Sequence, residues 1–153
     1  PDAEFKATVC EAAVKVEAKA NELRIADAIS EIFNVFRRAN KYIDETMPWA
    51  LAKDESKQTR LNDVLYNLTQ AIQIGASLLS SFMPETAEKM LSAFGGKLRS
   101  LEDCEKFGLR DSVTVTAVSP LFASVGQYTD GIAMTAIKIQ EVQHENSHRF
   151  GTY

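Results

Sequence analysis

The sequence predicts a mainly α fold: an antiparallel helical bundle followed by a short extended C-terminal tail. Three observations predict it. Apolar residues recur at helical spacing in successive stretches between residues 3 and 94. The chain breakers Pro48, Pro84 and Gly95-Gly96 stand between those stretches, with Gly75 the exception. Only residues 112–118 (Ser-Val-Thr-Val-Thr-Ala-Val) show the β-branched alternation of a strand.

The first helix is expected over residues 3–23, where Phe5, Val9, Ala12, Val16 and Leu23 make one apolar face. The second runs from about Ala26 to Thr46. Ile29, Ile32, Phe33, Phe36, Ala39 and Ile43 form its stripe. It stops before Pro48, because the residue preceding a proline is pushed out of the helical region. Ala50 to Ser56 reads as a polar connection, in which Asp54 or Ser56 could cap the next helix. That helix is expected to reach about Phe82, with Leu61, Val64, Leu65, Leu68, Ile72, Leu79 and Phe82 on one face. Gly75 lies within that face, where glycine costs ~1 kcal/mol relative to alanine; a close helix crossing would explain it. Pro84 suits the first position of a short helix whose face is Met90, Leu91 and Phe94. Gly95-Gly96 stops it. Ser100 and Asp103 are spaced like a capping box for one further turn. Two domains follow: a helical bundle over 1–108, and an extended tail with a poorly assigned extension over 109–153. Residues 134–142 fit helix and strand equally.

Trp49 is the single tryptophan, and the reading places it at the corner fixed by Pro48. An indole there can pack beneath its own loop, or stand out as a platform on which a base stacks. Arg37, Arg38 and Lys41 cluster on one side of the second helix, with Asp44 and Glu45 among them. Such a cluster is a solvated face, or else a set of cations for phosphates. Asn40 falls at the edge of the apolar stripe. A buried amide needs partners, so it either ties the helix end to a neighbour or contacts a base.

The 153 residues suffice for one ordinary domain with a real core. A net charge of −4 excludes a broadly basic nucleic-acid binder. It leaves room for a narrow site that reads unpaired RNA bases by stacking. Cys10 and Cys104 offer no metal spacing and no disulfide framework, as expected for a reducing, cytoplasmic setting. No stretch approaches the ~20 apolar residues of a membrane span, and no signal peptide opens the sequence.

The run Arg38-Ala39-Asn40-Lys41-Tyr42-Ile43-Asp44-Glu45-Thr46-Met47-Pro48-Trp49, followed by Ala52-Lys53, resembles the signature of the methionyl-tRNA synthetase anticodon-binding domain nearly residue for residue. The Pro84-Glu85-Thr86 turn is similar in type and position, and the resemblance covers residues 27–91. Residues 109–125 resemble the family's extended tail only loosely. The resemblance implies a helical bundle whose partner is tRNA, with Trp49 meeting the first base of the CAU anticodon loop. It makes Pro48, Asn40, Arg37, Arg38, Lys41 and Lys53 candidate tRNA-binding residues around it. An asparagine and an arginine that help read the anticodon in the family lie on a helix with no counterpart here. Nothing resembles the family's ATP-binding signatures. The expectation is therefore a C-terminal portion of the ligase without catalytic residues or cofactors of its own. ATP and methionine would belong to a catalytic domain that is its second partner.

His144-Glu145-Asn146-Ser147-His148 is a literal H-E-x-x-H. Catalytic zinc needs a third ligand and a shielded pocket, whereas this run is polar throughout, so no metal is expected. Asn67-Leu68-Thr69 matches a glycosylation acceptor but falls mid-helix and is set aside. The alternative to anticodon recognition is a non-catalytic bundle that binds another protein, or a second copy through the C-terminal tail.

Overall fold

The computed structural model describes residues 2–94 and 96–109. Helix α1 spans Asp2–Asn21, α2 Ile25–Thr46, α3 Pro48–Leu51, α4 Gln58–Leu79, α5 Pro84–Ala93 and α6 Leu101–Cys104, with a 3-10 turn at Glu55–Lys57 leading into α4. The helical bundle is as expected. The strand-like residues 112–118 and the H-E-x-x-H run lie outside the described residues.

Phe5, Val9, Ala12 and Val16 of α1 are buried against α2, whose Ile32, Phe36, Ala39 and Ile43 are buried in turn. Leu23 departs from the expected stripe. Helix α1 ends at Asn21, and Leu23 turns the chain in the left-handed region with φ 59 and 85% of its surface exposed. A backbone bond from Arg24 N–H to the Lys19 carbonyl (2.9 Å) closes this turn, a pattern that ordinarily takes glycine.

Helix α4 is the centre. The sequence suggests a single apolar face, but every residue from Asn67 to Leu79 is buried. Helices α1, α2 and α3 pack on it, and so do α5 and α6. Outside that apolar face the helix carries buried Asn67, Thr69, Gln70, Gln73 and Ser77. Buried polar groups require partners: Asn67 finds Tyr42 and Thr69 the Tyr66 carbonyl. The segment after α5 serves Gln70, Gln73 and Ser77, with Gln70 Nε2 left without a partner among the described residues. Arg99 donates through Nη2 to the side-chain oxygens of Gln70 and Gln73, the latter at 2.9 Å. Its backbone N–H reaches the Ser77 hydroxyl at 3.1 Å. Gln73 donates to the Lys97 carbonyl at 3.2 Å. Asn67 is buried and bonded, so the glycosylation match has no accessible acceptor.

Capping follows chemistry that the sequence left open. Asp54 accepts from the Ser56 N–H at 3.0 Å and starts the 3-10 turn. Ser100 accepts from the Asp103 N–H at 3.1 Å and starts α6. Cys10 is half-buried and Cys104 buried, both as free thiols. Burial pushes Cys104 up to about 11, which keeps it protonated and unreactive.

The crossing expected at Gly75 is present. A Cβ at Gly75 would stand 2.7 Å from Cε1 and Cζ of Phe36, a ring that is itself buried. Overpacking of this kind costs ~1–3 kcal/mol, more than the ~1 kcal/mol that alanine ordinarily returns within a helix. Gly75→Ala is therefore expected to lower the urea midpoint; an unchanged or raised midpoint would show that the ring gives way freely. Leu23→Gly should act in the opposite sense. Left-handed backbone costs a non-glycine residue ~1–2 kcal/mol, and an exposed leucine gives up little packing. Urea unfolding should therefore show a gain of about 1 kcal/mol.

Candidate nucleic-acid interface

The corner that carries Trp49 is built on the last turn of α2. Tyr42 is fully buried there, stacked on Phe5 of α1 with ring centroids 4.1 Å apart and planes within 6°. Its hydroxyl donates to Asp2 Oδ1 at 2.8 Å and accepts from Asn67 Nδ2 at 3.0 Å. Asp2 is in turn gripped by the Arg60 guanidinium, through Nη1 to Oδ2 and through Nη2 to Oδ1 at 2.8 Å. Three helices, α1, α2 and α4, thus meet at one phenol. Burial raises the Tyr42 phenol above its ordinary value, so the proton it donates stays in place.

Above this node the chain turns. Thr46 donates its hydroxyl to the Tyr42 carbonyl at 2.7 Å, and the Met47 N–H bonds the Ile43 carbonyl at 2.9 Å. Met47 leaves the right-handed helix as the following proline requires. It enters the left-handed region (φ 46, ψ 62) rather than extended backbone. The stretch after the corner is not the plain connection the sequence suggests. Pro48 is buried and opens the short α3, whose Ala50 N–H returns to the Met47 carbonyl at 2.9 Å. Ala52, buried, bonds the Pro48 carbonyl at 2.9 Å. Trp49 stands on this fixed turn, 38% exposed. Among the described residues no ring contact or hydrogen bond holds its indole.

The cations do not form one cluster. Arg38 turns inward, with its side chain only 10% exposed; Nη1 pairs with Glu45 Oε2 at 3.2 Å and Cζ lies 5.5 Å from the centre of the Phe5 ring. Its Nε and Nη2 are buried and, among the described residues, without hydrogen-bond partners, while the guanidinium as a whole gains the cation–π contact with the Phe5 ring. Lys41 is 69% exposed and lies 3.8 Å from the other Glu45 oxygen. Arg37 is exposed and donates to Asn34, and Lys53 is exposed. Among the described residues neither Arg37 nor Lys53 has a carboxylate partner. Asn40 is half-buried. The arrangement offers a flat aromatic face on a rigid turn and a few separate cations, which suits an unpaired base better than a duplex backbone. Among the described residues no group of histidine, cysteine and carboxylate side chains could hold a metal ion, and no helix is long and apolar enough to cross a membrane.

Residues 2–125 match the family model described as the anticodon binding domain of methionyl tRNA ligase. The chain belongs to that family. It is similar to the methionine–tRNA ligase of Clostridium acetobutylicum, 39% identical over 112 residues that cover 72% of this chain and 17% of that ligase. The ligase of Bacillus subtilis is 38% identical over 119 residues, 75% of this chain and 18% of that protein. That of Caldanaerobacter subterraneus is 52% identical over 81 residues, 53% of this chain and 13% of that protein. The chain spans under a fifth of the length of these relatives.

Within this anticodon-binding domain, reading the sequence missed the node beneath the corner. Tyr42 lies inside the signature run, and its helical position beside Ala39 and Ile43 was a signal for burial. Asp2, Arg60 and Asn67 gave no such signal, because only the packing of three helices brings them to one hydroxyl.

The node carries a pH dependence. The Arg60 guanidinium, assisted by Tyr42, holds the Asp2 carboxyl at about 2 against an ordinary 3.8, although burial opposes it. A depressed carboxyl stabilises the fold above its unfolded value and loses that contribution as pH falls through its folded value. Asp2→Asn should therefore unfold at lower urea than the parent at roughly pH 6, with the gap closing towards roughly pH 2. A gap of constant size would show that the carboxylate charge is not what binds the helices there.

Proposed function

We propose that this domain recognises methionine tRNA, with Trp49 stacking an unpaired base of the CAU anticodon loop while separate cations meet the neighbouring phosphates. The observation that carries this reading is the half-exposed indole on a backbone-fixed corner. Arg37, Lys41 and Lys53 are the exposed cations for phosphate, and Asn40 lies at the edge for a base or sugar contact. Arg38 and Pro48 serve from within, as a buried cation and a buried corner residue. In this reading the chain works in the cytoplasm as the anticodon-recognising part of a methionine–tRNA ligase. ATP and methionine are bound by the catalytic domain, its other partner. The alternative of a module that binds another protein, or a second copy through the C-terminal tail, has no observation among the described residues that favours it.

The test is Trp49→Ala against the parent, with a stem-loop RNA carrying CAU. Loss of a stacked base is expected to cost ~1–3 kcal/mol of binding. The loss of stability should stay well below the ~3–5 kcal/mol of a core aromatic truncation. Two or three phosphate contacts predict a shallow salt dependence, with log K falling against log salt at a slope of roughly −1.4 to −2. Unchanged RNA binding together with a large loss of stability would reject the platform role.

A further inference from the structure

We infer that Tyr42 is a positioning residue for RNA recognition: its hydroxyl, locked between Asp2 and Asn67, fixes the pose in which the corner presents Trp49. The inference rests on the stacking role proposed for Trp49 and adds what holds that surface ready. Among the described residues the indole makes no ring contact or hydrogen bond, so its direction rests on the backbone that carries it and on the packing beneath its covered face. That backbone includes Met47, a non-glycine residue at φ 46. Strained residues of this kind persist only where the surroundings over-determine them. The restraint from the α2 side comes through the Tyr42 carbonyl, which holds Thr46, and the Ile43 carbonyl, which holds Met47. Both belong to the turn that the phenol binds to α1 and α4. The phenol is sealed on one face by Phe5, and its hydroxyl is used as donor and as acceptor. Helix α2 can therefore neither rotate nor unwind at this end without breaking both bonds.

Preorganisation of this kind lowers the ordering cost of binding. A corner freed from the node would have to be ordered by the RNA. The phenylalanine substitution is the informative one, since it keeps the stack on Phe5 and deletes only the hydroxyl.

The experiment uses the full chain and a labelled stem-loop RNA carrying CAU. Because Trp49 is the single tryptophan, emission excited at the red edge of its absorption, where the four tyrosines do not absorb, reads the corner alone. Tyr42→Phe should lower the steady-state anisotropy of Trp49 in the free protein and weaken RNA binding roughly threefold to tenfold. It should do so with far-UV dichroism unchanged. In a Trp49→Ala background the same substitution should leave RNA affinity unaltered, because there is no longer a platform to position. A merely structural role predicts instead that the two losses multiply. Asp2→Ala removes one arm of the node from a half-exposed position, and serves if Tyr42→Phe does not fold; it should show the same pattern at smaller size.

Unchanged anisotropy, or losses that multiply across the two backgrounds, would overturn the inference. Failure of the stacking role itself would look different. Trp49→Ala alone would then leave RNA binding intact, and the anisotropy of Tyr42→Phe would still decide whether the node orders the corner.

Discussion

From Asn67 to Leu79 helix α4 is buried on all sides, yet it carries polar side chains at 67, 69, 70, 73 and 77, and the rest of the structure answers that constraint. An unsatisfied buried polar group costs ~1–3 kcal/mol, and among the described residues all of these side chains find at least one partner, the Gln70 Nε2 alone being left without one. At its N-terminal half, Asn67 is met by the Tyr42 hydroxyl, which sets how the end of α2 sits on α4. Further along, Gln70, Gln73 and Ser77 are met by Arg99, which draws residues 97–106 across the helix as a strap. Apolar packing alone would let α2 slide along α4. The hydrogen bonds select one position, and the close approach of Gly75 to Phe36 fits only that position.

The corner is a consequence of the same pairing. Because the phenol is held from two helices at once, the last turn of α2 is rigid at the point where the chain must change direction. Met47 then tolerates a left-handed conformation with no glycine present, and Pro48 is buried under the turn it begins. A side chain carried on such a turn starts from a fixed backbone, and Trp49, 38% exposed, keeps part of its indole uncovered. That condition leaves the face of Trp49 available to a ligand.

Much of this was legible in the sequence, and the misses share a cause. Period and punctuation give α1, α2, α4 and α5 because each is a local property of spacing and of proline or glycine. Gly75 gave the helix crossing, since a glycine within an apolar face has few other physical reasons to be there. Trp49 beside Pro48 gave the corner but left open whether the indole packs beneath it or stands out; the structure has it 38% exposed. What stayed hidden depends on neighbours distant in the chain. Asn67, Gln70 and Gln73 fall outside the apolar face, and their burial shows only once α5 and residues 97–106 are laid over them. Leu23 looks like part of a stripe because its helical spacing is right; nothing in a leucine announces a left-handed turn. Arg38 reads as one of three neighbouring cations, and only the position of Phe5 turns it inward.

The pairing of charges also explains how an acidic domain can offer a site for RNA. A net charge of −4 sets the average potential, but recognition responds to the charges near the binding face, since separations beyond the Debye length of ~8–10 Å are screened. Around the corner the carboxylates are already engaged. Glu45 faces both Arg38 and Lys41, Asp54 faces Lys57, and Asp2 is occupied by Arg60. Each pairing removes a negative charge that would otherwise repel a phosphate, and leaves Arg37 and Lys53 without a counter-charge among the described residues. A surface of this kind has little reach for nucleic acid in general, because it lacks the extended positive field that gathers any duplex. On the proposed reading it would hold an RNA only when a base comes out of the stack to lie on Trp49. On that reading, selectivity for an unpaired loop would follow from the weakness of the field as much as from the presence of the indole.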